Sequence, residues 1–526
     1  MRLILERLGN YLPAFVALAL PTLFIPNSTD SFILPRASVV VAAACVGSGL
    51  ALLLPGGPGL GSLRLPLLAA AVAAVLAFAF SVSWPLSLAG AYTRYESLPV
   101  RLSYLGLLAV SVWLLRGERG REWVIAAFVF GTSIACLEAV MQAASGVSFR
   151  PDGNLGNANL LGALIAMALP LAVARGLRFD RTMVVWWLEA LVIVAGLIVS
   201  TSRSGGLGAL AGCVALAVFA FRRRIWVAVS AVVAAAVVSG ALWAIVLGPL
   251  GQLNNDPARS RLQLWPDALR MIVARPLTGW GEDATGLAFG HFVRADWAPG
   301  VIYDRTHSGV LEIAATQGIL GLVALGWVLV ILFRGIWRYR FGDSVAALGA
   351  ACIGYTVWVA FNFDWVPATG AFWLLAGTAW SAVRAAETPQ PALARAEQPR
   401  SYGFERSLGA LALAGAAVWL GAMPVLAEAW SWQGRLDLAV RVDPLQAQYH
   451  WDLGNRLLGA GDALGTVAEL QRAADLGETE PQLYVDLGDE RRRLGEIAAA
   501  RQDYQRALFI DPYYAPAQQR LTSLGS

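Results

Sequence analysis

This sequence is poor in charge and in reactive side chains. Asp, Glu, Lys and Arg supply 14% of its 526 residues, whereas hydrophobic residues supply 57%. So few polar side chains cannot cover a soluble protein of this size, which excludes water as the solvent for most of the chain. Cysteine is scarce: Cys45, Cys136, Cys213 and Cys352 all fall inside apolar runs without paired spacing. That argues for core packing and against a disulfide framework or a zinc site. The three histidines, His291, His307 and His450, have no metal-ligand spacing; neither a GxxxxGK[ST] loop nor a GxGxxG after a strand occurs. No metal and no cofactor is therefore expected. The net charge of +4 reflects arginines between apolar runs rather than a nucleic-acid patch.

What the chain has instead is apolar runs of roughly 20 residues, the length a helix needs to cross a hydrocarbon layer about 30 Å thick. Thirteen candidates are centred near Leu18, Ala44, Val75, Leu107, Ser133, Met167, Val192, Cys213, Ala234, Leu322, Ile353, Leu374 and Ala417. The expected fold is all-α, a polytopic transmembrane bundle of 12–13 spans. The first run lacks a small-residue cleavage pattern and is expected to be retained. Arginines cluster in every second connection: Arg64; Arg116, Arg119 and Arg121; Arg175, Arg178 and Arg181; Arg222, Arg223 and Arg224; Arg334, Arg338 and Arg340. Short cytoplasmic loops are enriched in such residues, so the N-terminus is expected in the cytoplasm and the C-terminal segment outside.

The membrane domain is expected over residues 1–384. Two of its outer connections are too long and polar for simple turns: 144–158, rich in Gly and Asn, and 249–306. The second contains a helical stretch with apolar Leu262, Leu264, Leu269 and Ile272, and is expected to cap the outer face. A Pro- and charge-rich cytoplasmic linker (385–406) and one last span (407–428) precede a tail of ordinary soluble character (429–526). In that tail Leu453-Gly454 recurs as Leu487-Gly488, Gly461 as Gly495 and Ala473 as Ala507, each 34 residues on, and Asp443-Pro444 recurs as Asp511-Pro512. This layout resembles the tetratricopeptide repeat, with two full units and a preceding half unit expected to pack on the emerging last span; a plain helical hairpin is the alternative. His291 and His450 are read as surface residues.

Polar side chains collect on the expected outer face: Arg150, Asp152, Asn154, Asn157 and Asn159; Ser202, Arg203 and Ser204; Arg259, Arg261 and Trp265; Asp304, Arg305, Thr306, His307 and Ser308. Outer arginines run against the positive-inside preference, which favours a specific role. Tyr92, Arg94 and Glu96 are weaker candidates. The segments FRPDGNLGNANLLGAL, STSRSGGLGAL, RLQLWPDALRMIVARPLTGWG and DRTHSGVLEIAATQGILGL, in this order, resemble the signature segments of the O-antigen ligase and O-antigen polymerase superfamily, over roughly residues 90–335. One departure is Ser308, where the family commonly has Asn after the histidine.

The resemblance implies a GT-C-like fold and glycosyl transfer at the outer face from an undecaprenyl-diphosphate-linked glycan, inverting and without a required metal. It implies that Arg203 and Arg261 hold the diphosphate, with Arg259 and Arg305 as competing positions, and that His307 is the general base. Two cations are what a diphosphate leaving group needs in place of a metal. Arg203 is otherwise a snorkelling arginine, and Arg261 a partner of Asp256 or Asp267. Asp304, Asn157 and Arg150 are candidates for glycan or acceptor binding, although Asn157 also suits a tight turn. Implied partners are the lipid-linked glycan, a lipid or glycan acceptor, membrane lipids and envelope proteins at the repeats. The acceptor would be a lipid core, another lipid-linked glycan or a protein hydroxyl. A flippase and a repeat-bearing scaffold are readings from other classes; the first wants duplicated spans, and the second leaves the four ordered segments unexplained.

Overall fold

The computed structural model describes residues 2–54, 56–148, 150–220, 257–297, 301–387 and 403–525. The run centred on Ala234, Arg222, Arg223, Arg224 and Asp256, most of the 385–406 linker and the first part of the 249–306 loop lie outside the described residues, as does the side chain of Arg259.

The described residues are helical, with no strand. In chain order the helices are α1 (Arg2–Thr22), α2 (Ile33–Leu53), α3 (Arg64–Ala79), α4 (Trp84–Ala89), α5 (Leu98–Leu114), α6 (Glu118–Ser145), α7 (Ala158–Gly176), α8 (Met183–Ser200), α9 (Arg203–Ala220), α10 (Pro257–Ala274), α11 (Gly309–Arg338), α12 (Asp343–Val359), α13 (Val366–Glu387) and α14 (Phe404–Trp432). Then come α15 (Leu436–Val442), α16 (Ala447–Gly459), α17 (Ala463–Leu476), α18 (Pro481–Arg493), α19 (Ile497–Ile510) and α20 (Ala515–Gly525). Each of the twelve expected spans within the described residues coincides with a helix. Among the described residues, seven helical stretches are long and apolar enough to cross a membrane: α2, Gly61–Ala79, α6, α7, α8, α11 and α14. Their outward faces are apolar too, as at Leu65, Leu68, Val72 and Val75 on α3 and Val184, Leu188 and Leu191 on α8. Such surface is stable against lipid and not against water.

The interior helices approach through small residues. A side chain on Gly208 would strike the Gly354 carbonyl, and one on Gly212 the Ala350 carbonyl, so α9 and α12 run antiparallel in close contact. Gly162 of α7 meets Gly205 and Ala166 meets Gly208, which makes α7 and α9 parallel. Without a hydrophobic drive between helices in lipid, such close backbone packing supplies the attraction. Arginine-rich connections meet at one end of the bundle, where Glu122 accepts from Arg175 Nε at 2.8 Å and from Arg178 at 3.1 Å.

α11 is not one continuous rod. Gly318 has φ +67°, and a side chain there would collide with the Leu277 carbonyl. The segment 276–281 threads into the break: Trp280 N donates to Ala315 O (2.8 Å), Gly281 N to Thr316 O (3.0 Å) and Ile319 N to Pro276 O (2.8 Å). The residues from Gly309 to Gln317 therefore form a short separate helix tied to the large loop, and the longer remainder continues through the bundle.

Two expectations need correction. The apolar stripe of α10 is Leu264, Ala268 and Met271, which are buried, whereas Leu269 is exposed on the opposite face. His450 is not a surface residue: it is buried, with Nδ1 2.7 Å from Glu469 Oε2. His291 is exposed and stacks on Phe509.

The tail forms helical hairpins at the sequence period. Gly454 in α16 faces Leu470 in α17, and Gly488 in α18 faces Tyr504 in α19, each pair 34 residues after the last. α15 packs where α14 ends, with Ala427, Ala439 and Tyr449 in one buried cluster and Tyr449 donating to Glu428 at 3.0 Å. The tail also sits on α4 and the large loop: Leu86 of α4 and Ala284 and Leu287 of the loop share a core with Leu470, Leu476, Leu483 and Ile510.

Candidate functional site

At the end opposite the arginine-rich connections, two helix beginnings lie side by side. Asn157 caps α7, its side chain accepting from Asn159 N at 2.8 Å. The Asn159 Oδ1 in turn takes hydrogen bonds from Arg150 (3.2 Å) and Ser202 Oγ (3.3 Å). Arg203, exposed, is the first residue of α9. Burial and the neighbouring Arg203 charge push the Arg150 guanidinium below its ordinary value, so two cations share this corner. Helix N-termini add partial positive charge to it.

The α9–α12 register carries this corner to His307. With Gly208 beside Gly354, Arg203 lies level with Val359, and Val359 touches Gly309, two residues after His307. His307 itself has φ +53°, a left-handed conformation that costs an L-residue about 1 kcal/mol or more and needs outside support. Glu312 gives that support, accepting from Thr306 N (2.8 Å), Thr306 Oγ1 (2.9 Å) and Arg305 Nη1 (3.1 Å). Trp265 of α10 donates to the Thr306 carbonyl at 3.1 Å, which fixes the large-loop helix to the same turn.

His307 Nδ1 lies 3.2 Å from the Arg305 carbonyl. A carbonyl only accepts, so Nδ1 must carry the hydrogen and Nε2 keeps its lone pair. Burial lowers the imidazole pKa below 6.5, the Arg261 and Arg94 charges push the same way, and the carbonyl contact and Asp304 oppose. A neutral ring at neutral pH is the result. Tyr303 and Phe363 contact the ring edge-on, with centroids 5.9 and 5.1 Å away.

Arg305 does not face this space. It is 3% exposed, held by Asp283 and by Glu312. Burial works against its charge, but the two carboxylates outweigh it and keep the guanidinium protonated. That leaves it a strut of the turn rather than a group available to phosphate. Asp304 is occupied as well, at 2.6 Å from Arg94, whose guanidinium lies over the Trp365 ring at 4.9 Å. Asp267, one of the two acids weighed as a partner of Arg261, pairs with Arg270 and accepts from Trp297 at 3.0 Å.

Beneath the turn lies a set of buried charges of which the sequence singles out only Glu96. Arg101 of α5 contacts Asp364 (2.7 Å), Glu282 (3.3 Å) and Glu96 (3.7 Å), Gln317 donates to Glu282, and Tyr104 donates to Glu96 at 2.6 Å. Buried charges persist only when paired in this way. They head an apolar groove between α5, α11, α12 and α13, of about 240 Å³, which runs from Arg101 and Gly309 past Ile313, Leu325 and Trp373. A signal existed in the sequence, because carboxylates beside or within apolar segments, such as Glu312 and Asp364, are costly there and imply partners.

A multi-pass helical membrane protein with a cationic corner and a neutral histidine at one membrane end is the class this arrangement defines. Residues 188–326 match the family model described as O-antigen ligase, a family of membrane proteins that transfer glycans. The matched stretch contains Arg203, Arg261, Asp304, Arg305 and His307, but not Arg150 or Asn157. No curated protein matches the chain.

Proposed function

We propose that the chain transfers a glycan from an undecaprenyl-diphosphate-linked donor to an acceptor hydroxyl at the outer face of the inner membrane, in the manner of an O-antigen ligase. The observation that carries this reading is the α9–α12 register, which leads from the cationic corner at Arg203 through Val359 to Gly309, two residues after the neutral His307, with Gly309 also lining the apolar groove. The polyprenyl chain lies in the groove and the diphosphate between Arg203 and Arg261. His307 Nε2 takes the proton of the acceptor hydroxyl as its oxygen attacks the anomeric carbon from the side opposite the diphosphate. The bond from that carbon to the diphosphate oxygen breaks, its electron pair leaves with polyprenyl diphosphate, and the arginines stabilise the developing charge in place of a metal. One displacement inverts the anomeric configuration.

The N-terminus lies in the cytoplasm and the C-terminal helices, read as tetratricopeptide-like repeats, lie outside. Asn157 serves its helix as a cap, and Arg150 joins Arg203 in the cationic corner. The test is purified protein in lipid nanodiscs with a labelled lipid-linked glycan and a core-lipid acceptor. The expected result is release of polyprenyl diphosphate together with labelled acceptor; donor that merely changes leaflet, with its glycan still attached, would replace transfer by transport. Transfer onto a second lipid-linked glycan would make the protein a polymerase by the same chemistry.

A further inference from the structure

A crevice lies between the large loop and the turn joining α19 to α20, and no residue of the cationic corner enters it. One wall is Asp296, Trp297 and Tyr303; the other is Asp511, Pro512 and Tyr513 of the turn between α19 and α20. The walls are held together nearby, where Gly290 is pressed against the Ile510 carbonyl and His291 stacks on Phe509 with centroids 5.1 Å apart. A side chain on Gly290 would push them apart.

The crevice adjoins the candidate site through Tyr303. Trp297 and Tyr303 have ring centroids 4.7 Å apart, and Tyr303 is the ring that meets His307 at 5.9 Å. The Trp297 indole is oriented by its hydrogen bond to the buried Asp267. The Asp511 carboxylate is anchored by accepting from Tyr513 N at 3.0 Å, and Tyr513 is 40% exposed.

The chemistry of the lining selects its occupant. Two carboxylates repel a diphosphate, and a lipid tail would strip them of water without replacement. A neutral pyranose satisfies both features: its C–H face packs on the aromatic rings while its hydroxyls donate to the carboxylates. We infer that this crevice is a sugar-binding subsite for the glycan that approaches His307, and that the C-terminal helices supply one of its walls. The inference rests on the glycosyl-transfer reading for what the sugar is doing there, but binding itself is measurable without turnover.

Full-length protein in nanodiscs is examined by saturation-transfer NMR with methyl glycosides of glucose, galactose, mannose, rhamnose, N-acetylglucosamine and N-acetylgalactosamine. At least one glycoside should receive saturation. Tyr513→Ala and Trp297→Ala should each weaken its binding roughly threefold to tenfold, the scale of one lost aromatic contact. Asp511→Asn should weaken it as well, and His307→Ala should leave it intact. If binding follows this pattern while the wild-type protein transfers nothing, the subsite stands and the transfer reading falls. If no glycoside is saturated, or if saturation is indifferent to Tyr513 and Trp297, the subsite is overturned even in an active enzyme. Displacement of the glycosides by a serine-containing peptide would also overturn it, by assigning the crevice to protein.

Discussion

Glu312 grips Thr306 twice, through its backbone N–H and its hydroxyl, and so fixes the residue immediately before His307. A left-handed residue is retained only where neighbours over-determine it, and these bonds, with the Trp265 contact, are those neighbours. Glu312→Ala should therefore misplace the imidazole without removing it. Misplacement by about 1 Å costs on the order of 100-fold in rate, so transfer should fall by about that factor while the KM for donor and the acid limb of the pH profile stay near wild type. An unchanged rate would dissociate the turn from the chemistry.

His307 gives the pH dependence its sign. In the proposed mechanism the imidazole works as base only when neutral, and burial holds its pKa below 6.5. The rate should be flat around pH 7 to 8 and decline on acidification with a midpoint below 6.5, as protonation removes the Nε2 lone pair. His307→Ala should insert and express normally but lose transfer. A midpoint above 6.5, or near-normal turnover by the alanine variant, would remove histidine from the role of base.

The membrane helices were legible because lipid imposes a length and an apolar composition that any span must show. Arg203, Arg261 and His307 stand out in the sequence because ordered segments carry them. The pairings that support the turn do not. Arg94 and Asp304 meet across 210 residues, and Arg101 and Asp364 across 263; no local spacing encodes such pairs. The break at Gly318 was hidden inside an uninterrupted apolar run, since a glycine there reads equally as small-residue packing until the Leu277 carbonyl is seen against it. The burial of His450 is equally hidden from local sequence, because its partner, Glu469, lies on the next helix of the hairpin.

Contacts place the large loop and the C-terminal helices at the same end of the bundle, and the orientation of that end is testable. On a cysteine-free background, Ser145→Cys and Asp462→Cys should react with a membrane-impermeant maleimide added outside intact cells, and Asp180→Cys only after lysis. All three wild-type residues are exposed. Labelling of position 180 alone would invert the topology and move the candidate site to the cytoplasm.

The two arginines separate charge from geometry. Arg203 begins α9, and Arg261 lies close enough to His307 for its charge to bear on the ring. A guanidinium offers paired donors that match two phosphate oxygens, whereas lysine keeps the charge and loses the fork. Arg203→Lys and Arg261→Lys should each retain part of the activity. On the proposed binding of the diphosphate, each alanine variant would remove one charge-assisted contact to the leaving group, a loss that typically costs about 2.7 to 4 kcal/mol, or roughly 100- to 1000-fold in rate. Arg305→Ala should behave differently: it leaves Asp283 and Glu312 buried without their cation, so the protein should lose folded yield along with activity, at a cost of about 3 to 5 kcal/mol. A chelator should leave the wild-type rate unchanged if the arginines stand where a metal otherwise would. An enzyme that stops in chelator and recovers with a divalent cation would show that the charge is neutralised by metal, and normal turnover by both alanine variants would move the diphosphate away from Arg203 and Arg261.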